Sequence, residues 1–211
     1  MLSKRIKKLS DLVSPDRLRV FDLCCDHGKI GLACADRIAE VFLIDQVPTI
    51  IEKLKATDIP CNVHSLCADA SNYQFESKPR DCFIIAGIGG HLATKILANI
   101  LATGLEGIEI ILSPHSHHEV VWEYLERKSV KGISFDRFFD QGKNYEVIKL
   151  TVDYTKNFDS LKFLKKWEPL QTEDDFLYKQ IDYFTLKSKY EPDQYKWLSF
   201  YQARLSYLKS F

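Results

Sequence analysis

The sequence predicts an α/β fold in which a mostly parallel sheet carries helices on both faces, ends in an antiparallel hairpin and is followed by a helical appendage. Short apolar runs predict five parallel strands, at residues 20–23, 41–44, 62–66, 82–86 and 108–112. Helix-length segments separate most of them, at residues 29–39, 48–55 and 91–101. Strands that alternate with helices in this way form parallel sheets that are covered on both faces.

The pattern changes after the fifth predicted strand. Two strand-like runs, at residues 133–139 and 145–154, are separated only by residues 140–144, which leave no room for a helix. They predict a terminal antiparallel hairpin. A parallel sheet that ends in such a hairpin resembles the methyltransferase variant of the Rossmann architecture more than the dinucleotide-binding variant.

Helices are predicted at both ends of the chain. The first is amphipathic, because apolar residues recur at helical spacing at Leu2, Ile6, Leu9 and Val13. After about residue 157, apolar residues again recur at helical spacing, and Pro192 suits the first turn of a new helix. We therefore predict a core domain over residues 1–155 and a helical hairpin or coiled coil over residues 156–211.

Charge and cysteine content limit the kind of protein. The 29 basic and 29 acidic side chains cancel, so a nucleic-acid partner would need a local basic patch. No apolar run approaches the roughly 20 residues that span a bilayer, which predicts no membrane association. Since no signal peptide precedes the six cysteines, we expect reduced thiols and a cytoplasmic protein. A monomer is favoured.

Basic residues gather in two places that could contact phosphates. Residues 1–20 contain six Lys or Arg against two Asp. The second cluster consists of Lys156, Lys162, Lys165 and Lys166. Each of these side chains could equally lie on a solvated helix face.

The turn after the first strand is the first candidate for a cofactor site, because ligands bind beyond the carboxyl ends of parallel strands. It reads Asp22-Leu23-Cys24-Cys25-Asp26-His27-Gly28, and we assign Asp22, Cys24 and Gly28 to cofactor binding. The glycine pattern is incomplete, so an ordinary strand-to-helix turn is the alternative. Cys24 and Cys25 could suggest a nucleophile pair, but no hydrolase-type partner accompanies them, and packing is favoured.

Acidic residues follow the next two strands. Asp45, with Gln46 beside it, stands about twenty residues after the turn, where a carboxylate can accept both ribose hydroxyls of a nucleoside cofactor. Asp69, followed by Ala70, could accept a hydrogen bond from an adenine amino group. The alternatives are a helix-initiating aspartate at 45 and a surface turn at 69.

Two further segments follow the fourth and fifth strands. Ala86, Gly87 and Gly89 belong to a glycine-rich end of the fourth strand, where backbone can approach a ligand closely. The fifth strand leads into Ser113-Pro114-His115-Ser116-His117-His118. No Cys or carboxylate lies at a metal-ligand spacing from these histidines, so we predict a polar rim or helix start and no metal.

With these residues in view, the chain resembles the bacterial tRNA adenine-N1 methyltransferase family that modifies adenine-22, from Leu2 nearly to the end. The likeness rests on five ordered blocks: Leu2-Ser3-Lys4-Arg5, Asp22 to Gly28, Phe83 to Gly90, Ile110 to His115, and Gly142-Lys143-Asn144-Tyr145-Glu146. The chain departs from the family where Cys24-Cys25 replaces Gly-Ser, Ala70 replaces Gly and His115 replaces Asn.

The resemblance implies methyl transfer from S-adenosylmethionine to N1 of an adenine in tRNA, without a metal. We assign Asp26 to stabilising charge that develops on the adenine, and His27 and His115 to lining the pocket. The basic first helix and the appendage would supply binding energy for extruding the base. A methyltransferase with a different acceptor, whether another RNA, a protein or a small molecule, and a non-catalytic RNA-binding relative are the alternatives.

Overall fold

A computed structural model describes residues 2–128, 130–153, 155, 159 and 174–210. The strands are β1 (Arg19–Leu23), β2 (Glu40–Asp45), β3 (Val63–Cys67), β4 (Asp81–Ala86), β5 (Glu109–Ser113), β6 (Val130–Asp140) and β7 (Lys143–Val152). The described helices are α1 (Lys4–Asp11), α2 (Lys29–Leu32), α3 (Pro48–Lys55), α4 (Gly90–Leu101), α5 (His118–Leu125), α6 (Asp174–Lys187) and α7 (Tyr195–Leu208), with a 3-10 turn at Pro192–Gln194.

The strands form one seven-stranded sheet in the order β3-β2-β1-β4-β5-β7-β6. Strands β1 to β5 run parallel, whereas β7 is antiparallel to both β5 and β6. The predicted mostly parallel sheet with a terminal hairpin is confirmed. Because β2 and β4 lie on opposite sides of β1, the strand order reverses there, which opens a crevice at the carboxyl ends of β1 and β4.

The central strands are buried because helices cover the sheet. Every residue of β4 and β5 is buried. The strands also end in line, since Leu23 of β1 lies beside Ile44 of β2 and Ile85 of β4. The loops that follow these three strands therefore leave the same edge of the sheet.

Helix α2 is shorter than predicted. The sequence pattern predicts a helix over residues 29–39, but the helix ends at Leu32 and tight turns follow. The side-chain amide of Asn62 donates hydrogen bonds to the carbonyls of Ala35 and Ile38, at 2.9 and 2.8 Å. These carbonyls are satisfied by a distant residue and not by a continuing helix, which apolar periodicity does not reveal.

The hairpin turn is tighter than predicted. Gln141 and Gly142 alone connect β6 to β7, and both have a left-handed backbone, with φ of 49° and 78°. Two such residues form the type I′ turn that matches the twist of paired strands. The polar residues Asp140 and Asn144 belong to the strands because they pair through their backbones. Residue 154, the predicted end of the second run, lies outside the described residues.

A buried ion network joins the hairpin to helix α5. The Glu146 carboxylate pairs with Arg137 of β6 and lies 2.8 Å from Nδ1 of His118, the first residue of α5. Burial alone would raise the pKa of Glu146, but the charges of His118 and Arg137 lower it to about 2. This network holds the hairpin against the start of α5, directly after the loop that leaves β5.

The chain divides into two compact units, residues 1–158 and 159–211. In the second unit, α6 and α7 pack through buried aromatic side chains, and the rings of Phe184 and Tyr201 stack with centroids 5.6 Å apart. The predicted C-terminal helices are confirmed, while the exact domain boundary remains a prediction. No helix in the described parts of the chain is long and apolar enough to cross a membrane.

One of the predicted basic clusters falls outside the described residues: Lys156, Lys162, Lys165 and Lys166.

Candidate active site

A cavity of about 520 Å³ opens at the carboxyl ends of β1 and β4. It lies where the strand order reverses, which is where ligands bind in open parallel sheets. Its volume suits a small ligand or cofactor. The lining includes Arg5, Asp22, Cys24, Asp26, His27, Ala86, Gly87, Asp140 and Tyr145.

The turn after β1 has an unusual backbone. Cys24, Asp26 and Gly28 have positive φ, of 57°, 49° and 64°, which is costly for the two residues that carry a side chain. The turn is held by the Cys25 amide, which donates to the Ile44 carbonyl at 3.1 Å. A Cβ on Gly28 would lie 2.7 Å from Cδ1 of Leu43, so glycine fits both the conformation and the packing. Strain of this kind is typical of functional turns.

Asp22 places a buried carboxyl group at the cavity. Its side chain is 2% exposed, and Oδ2 accepts a hydrogen bond from the Gly31 amide at 2.8 Å. Burial raises the pKa of Asp22 to about 7, the nearby Asp45 adds to this rise, and the Gly31 amide and the Arg5 charge oppose it. Such a group suits a cationic ligand, whose charge would stabilise the ionised form.

Asp45 ends β2 and supports the same turn. Its carboxylate accepts hydrogen bonds from the backbone amides of Asp26 at 3.1 Å and Val47 at 3.0 Å. The side chain is 8% exposed, and two carboxylate oxygens provide further acceptor capacity. Gln46 beside it is exposed. Asp45 is not among the residues that line the cavity, and its role as an acceptor of ribose hydroxyls stays a prediction.

Asp69 and Ala70 follow β3. The Asp69 carboxylate accepts a hydrogen bond from the Ser71 amide at 2.9 Å, which is an Asx turn. Ala70 is buried, and its carbonyl accepts from the side chain of Asn99. The turn alternative is therefore present at this position, and it leaves the second carboxylate oxygen of Asp69 for another donor.

The cysteine pair in the turn does not have the properties of a nucleophile. Burial raises the pKa of Cys24 to about 11, and the charges of Asp45, Asp22 and Asp69 add to the rise. Burial also raises the pKa of Cys25 far above its ordinary value. Since the thiolate is the reactive form, both thiols are inert at neutral pH, which supports the packing interpretation.

The glycines after β4 meet other parts of the protein. Gly87 has a φ of 80°, and a Cβ there would lie 3.0 Å from Nη2 of Arg5. A Cβ on Gly90 would lie 2.0 Å from the carbonyl oxygen of His117, and one on Gly89 would lie 3.2 Å from Oγ of Ser116. Packing against the loop after β5 therefore requires glycine at position 90, and the assignment of Gly87 and Gly89 to cofactor binding stays a prediction.

The predicted catalytic residues lie differently from the expectation. Asp26 and His27 line the cavity, with Oδ2 and Nε2 3.8 Å apart, but their side chains are 68% and 69% exposed. Asp26, whose backbone has a φ of 49°, therefore lies at the open side of the cavity and is not buried. His115 is exposed and is not among the residues that line the cavity.

The two histidines that follow Ser116 have contacts within the protein. Nδ1 of His117 lies 3.7 Å from Oε1 of Glu119, and His118 contacts Glu146. Among the described residues, no group of three or more His, Cys, Asp or Glu is placed to hold a metal ion.

Sequence reasoning gave no site role to several residues that line the cavity, among them Arg5, Asp140 and Tyr145. Arg5 belongs to the amphipathic first helix, where the sequence predicts only a basic face. Tyr145 lies in a block that carries the family resemblance but was assigned no role. Asp140 belongs to no sequence pattern that marks a site, and it lines the cavity because it ends β6 directly before the tight turn.

The chain is similar to several solved structures. The tRNA m1A22 methyltransferase TrmK of B. subtilis matches with a TM-score of 0.67 and 19% identity, covering 100% of this chain and 98% of that chain. TrmK of M. capricolum, solved with the cofactor product S-adenosylhomocysteine, matches with a TM-score of 0.72 and 14% identity, covering 100% and 97%. A protein of the NADB-Rossmann superfamily from Streptococcus agalactiae matches with a TM-score of 0.73 and 16% identity, covering 100% and 96%.

At these identities the likeness establishes the fold. No curated protein sequence matches this chain. The family model described as a methyltransferase domain matches residues 2–148, which are more than half of the 211 residues. These residues contain α1, the parallel strands and most of the hairpin, and therefore the whole lining of the cavity. The chain belongs to the methyltransferase domain family.

Proposed function

We propose that this protein is a cytoplasmic enzyme that transfers the methyl group of S-adenosylmethionine to N1 of an adenine in tRNA, at adenine-22. The observation that carries the proposal is the cavity at the strand reversal, which has Asp22 in its wall and Asp45 bonded to its turn. The family of methyltransferase domains supports the reaction type. The tRNA m1A22 methyltransferases that share the fold over the whole chain support the acceptor.

The residues present fit this cofactor. Asp45 would accept the ribose hydroxyls, and Asp22 would receive the ammonium of the amino-acid end. Asp69 has an oxygen left to accept from an adenine amino group. Burial raises the pKa of Asp22, and a bound ammonium group would lower it again by stabilising the carboxylate.

The chemistry requires positioning more than acid or base groups. S-adenosylmethionine supplies a methyl group on a sulfonium, so that the N1 lone pair forms a bond to carbon while the carbon–sulfur bond breaks and the charge moves to the base. The protein holds the base in line. Asp26 and His27 lie at the cavity mouth, where a carboxylate can stabilise the cationic product.

Asp26→Asn is expected to lower the single-turnover rate of methyl transfer roughly 10- to 100-fold. Asp26 is exposed in the free protein, so its charge acts on the base once bound RNA excludes water from the mouth. Affinity for S-adenosylhomocysteine should not change. Asp36→Asn, at an exposed aspartate beyond α2, is the matched control. An unaltered rate in Asp26→Asn would remove Asp26 from this role.

Cofactor affinity is expected to rise with pH. Only the ionised form of Asp22 attracts the ammonium, and its pKa is about 7, so affinity for S-adenosylhomocysteine should increase about tenfold between pH 6 and pH 8. Calorimetric titration across this range measures the change. Asp22→Asn keeps an acceptor for the Gly31 amide and should abolish the pH dependence. A wild-type affinity that does not vary with pH would contradict the assignment.

The proposed reaction is tested by incubating the protein with unmodified tRNA and S-adenosylmethionine and identifying the methylated nucleoside by mass spectrometry. N1-methyladenosine at position 22, absent when a transcript carries guanosine there, is the expected result. A different methylated nucleoside, or methylation only of a protein or small molecule, would assign another acceptor. S-adenosylhomocysteine binding that is undetectable at millimolar concentration would point to a non-catalytic relative.

A further inference from the structure

Arg5 of helix α1 reaches the cavity at the carboxyl end of β4. Its Cζ lies 5.1 Å from the centroid of the Tyr145 ring. A Cβ on Gly87 would lie 3.0 Å from Nη2 of Arg5, so the guanidinium packs closely against the backbone of Gly87. Helix α1 and the hairpin therefore place the Arg5 guanidinium beside Gly87, at the end of β4.

The position of Arg5 is held by its neighbours. Its backbone amide donates to Oδ2 of Asp140 at 2.8 Å, which joins α1 to the end of β6. Two lysines of the same helix have partners in the hairpin: Lys4 donates to the Phe139 carbonyl, and Lys8 pairs with Asp136. These two cations of α1 are therefore engaged with the hairpin, whereas Arg5 faces the cavity.

The Arg5 guanidinium forms no ion pair in the described parts of the chain, although its charge acts on the buried Asp22 and lowers the pKa of that carboxyl group. Its Nε is buried and makes no hydrogen bond there, and no described carboxylate pairs with it. Arg5 is half-buried, so an anion that enters the cavity would pair with a partly desolvated guanidinium. The planar guanidinium binds a carboxylate through two parallel hydrogen bonds.

We propose that Arg5 binds the carboxylate of the amino-acid end of the cofactor, opposite Asp22, which receives its ammonium. This inference rests on the proposed function. Arg5 and Asp22 line the same cavity, and their opposite charges match a zwitterion. A phosphate of bound RNA suits the cavity less, because Asp26 and Asp140 also line it and would repel a polyanion.

The test compares three ligands that differ in this end of the molecule. S-adenosylhomocysteine carries both charges, its decarboxylated analogue keeps only the ammonium, and methylthioadenosine has neither. Arg5→Gln should weaken S-adenosylhomocysteine binding roughly 10- to 100-fold and leave the other two ligands unchanged. Arg5→Lys should weaken S-adenosylhomocysteine binding less than Arg5→Gln does, because lysine keeps the charge but lacks the planar guanidinium.

Lys7→Gln is the matched control, since Lys7 is an exposed cation on the same helix, and it should bind all three ligands like the wild type. Equal weakening of all three ligands by Arg5→Gln would show a merely structural role and overturn the proposal. Unchanged S-adenosylhomocysteine affinity with a raised KM for tRNA would overturn it in favour of an RNA phosphate. If the wild type binds methylthioadenosine as tightly as S-adenosylhomocysteine, the proposed role of Arg5 is wrong but the proposed cofactor is not. If the wild type binds none of the three ligands, the proposed function itself is wrong.

Discussion

Gly90→Ala is expected to destabilise the protein by about 3 kcal/mol and to abolish methyl transfer. The new Cβ would lie 2.0 Å from the His117 carbonyl oxygen and 3.0 Å from that of Ser116. Both atoms are backbone, so no side-chain rotation relieves the overlap. The amide of Gly90 also donates to the Ser116 carbonyl at 2.8 Å, which joins the loops after β4 and β5. Urea unfolding measures the loss of stability, and a methyl-transfer assay with unmodified tRNA measures the loss of activity.

Gly107→Ala is the control for this prediction. Gly107 has a φ of 78°, but nothing lies within 4 Å of a Cβ placed there. Alanine should cost only the roughly 1–2 kcal/mol of a left-handed conformation and should leave cofactor affinity unchanged. If Gly90→Ala were as stable and as active as Gly107→Ala, the close contact between the two loops would be wrong.

Asp45→Ala is expected to weaken S-adenosylhomocysteine binding by at least roughly 100-fold. The change removes the proposed acceptor of the ribose hydroxyls. It also leaves the amides of Asp26 and Val47 without the carboxylate that they contact, which releases the strained turn after β1. Both hydrogen bonds are only partly buried, so the free energy of unfolding should fall by about 0.5–1.5 kcal/mol for each bond lost.

Titration calorimetry of the purified variant measures the loss, and circular dichroism shows whether the sheet remains folded. Glu52→Ala, at an exposed acidic residue of α3, removes the same charge from the neighbouring helix and should bind like the wild type. Asp45→Asn keeps one acceptor oxygen and should fall between the two. Wild-type affinity in a folded Asp45→Ala protein would remove Asp45 from the cofactor site.

The parallel strands were predictable to within one or two residues because a buried strand requires a continuous apolar run, and such runs are local in the sequence. The same locality explains why Asp45 could be placed at the end of β2. Two polar features were harder. The end of α2 depends on Asn62, and the turn at Gln141 and Gly142 depends on backbone pairing of polar residues.

The candidate site was predicted in part. Asp22, Cys24 and Gly87 line the cavity, as their positions at the carboxyl ends of β1 and β4 indicated. Arg5 lies in the first block of the family resemblance, but nothing local distinguishes it from Lys4, and only the packing of α1 on the hairpin places it at the cavity.

The sequence by itself determined the fold class, the strand order along the chain and the edge of the sheet where a ligand binds, since these follow from local periodicity and from the rule that parallel strands end together. Only the tertiary structure decided which charges meet there. In the folded protein, Arg5 of α1 lines the cavity, the Asp26 side chain is exposed, and Gly90 packs against the His117 carbonyl. Contacts between residues far apart in the chain depend on how helices and loops pack, and that packing leaves no periodic pattern in the sequence.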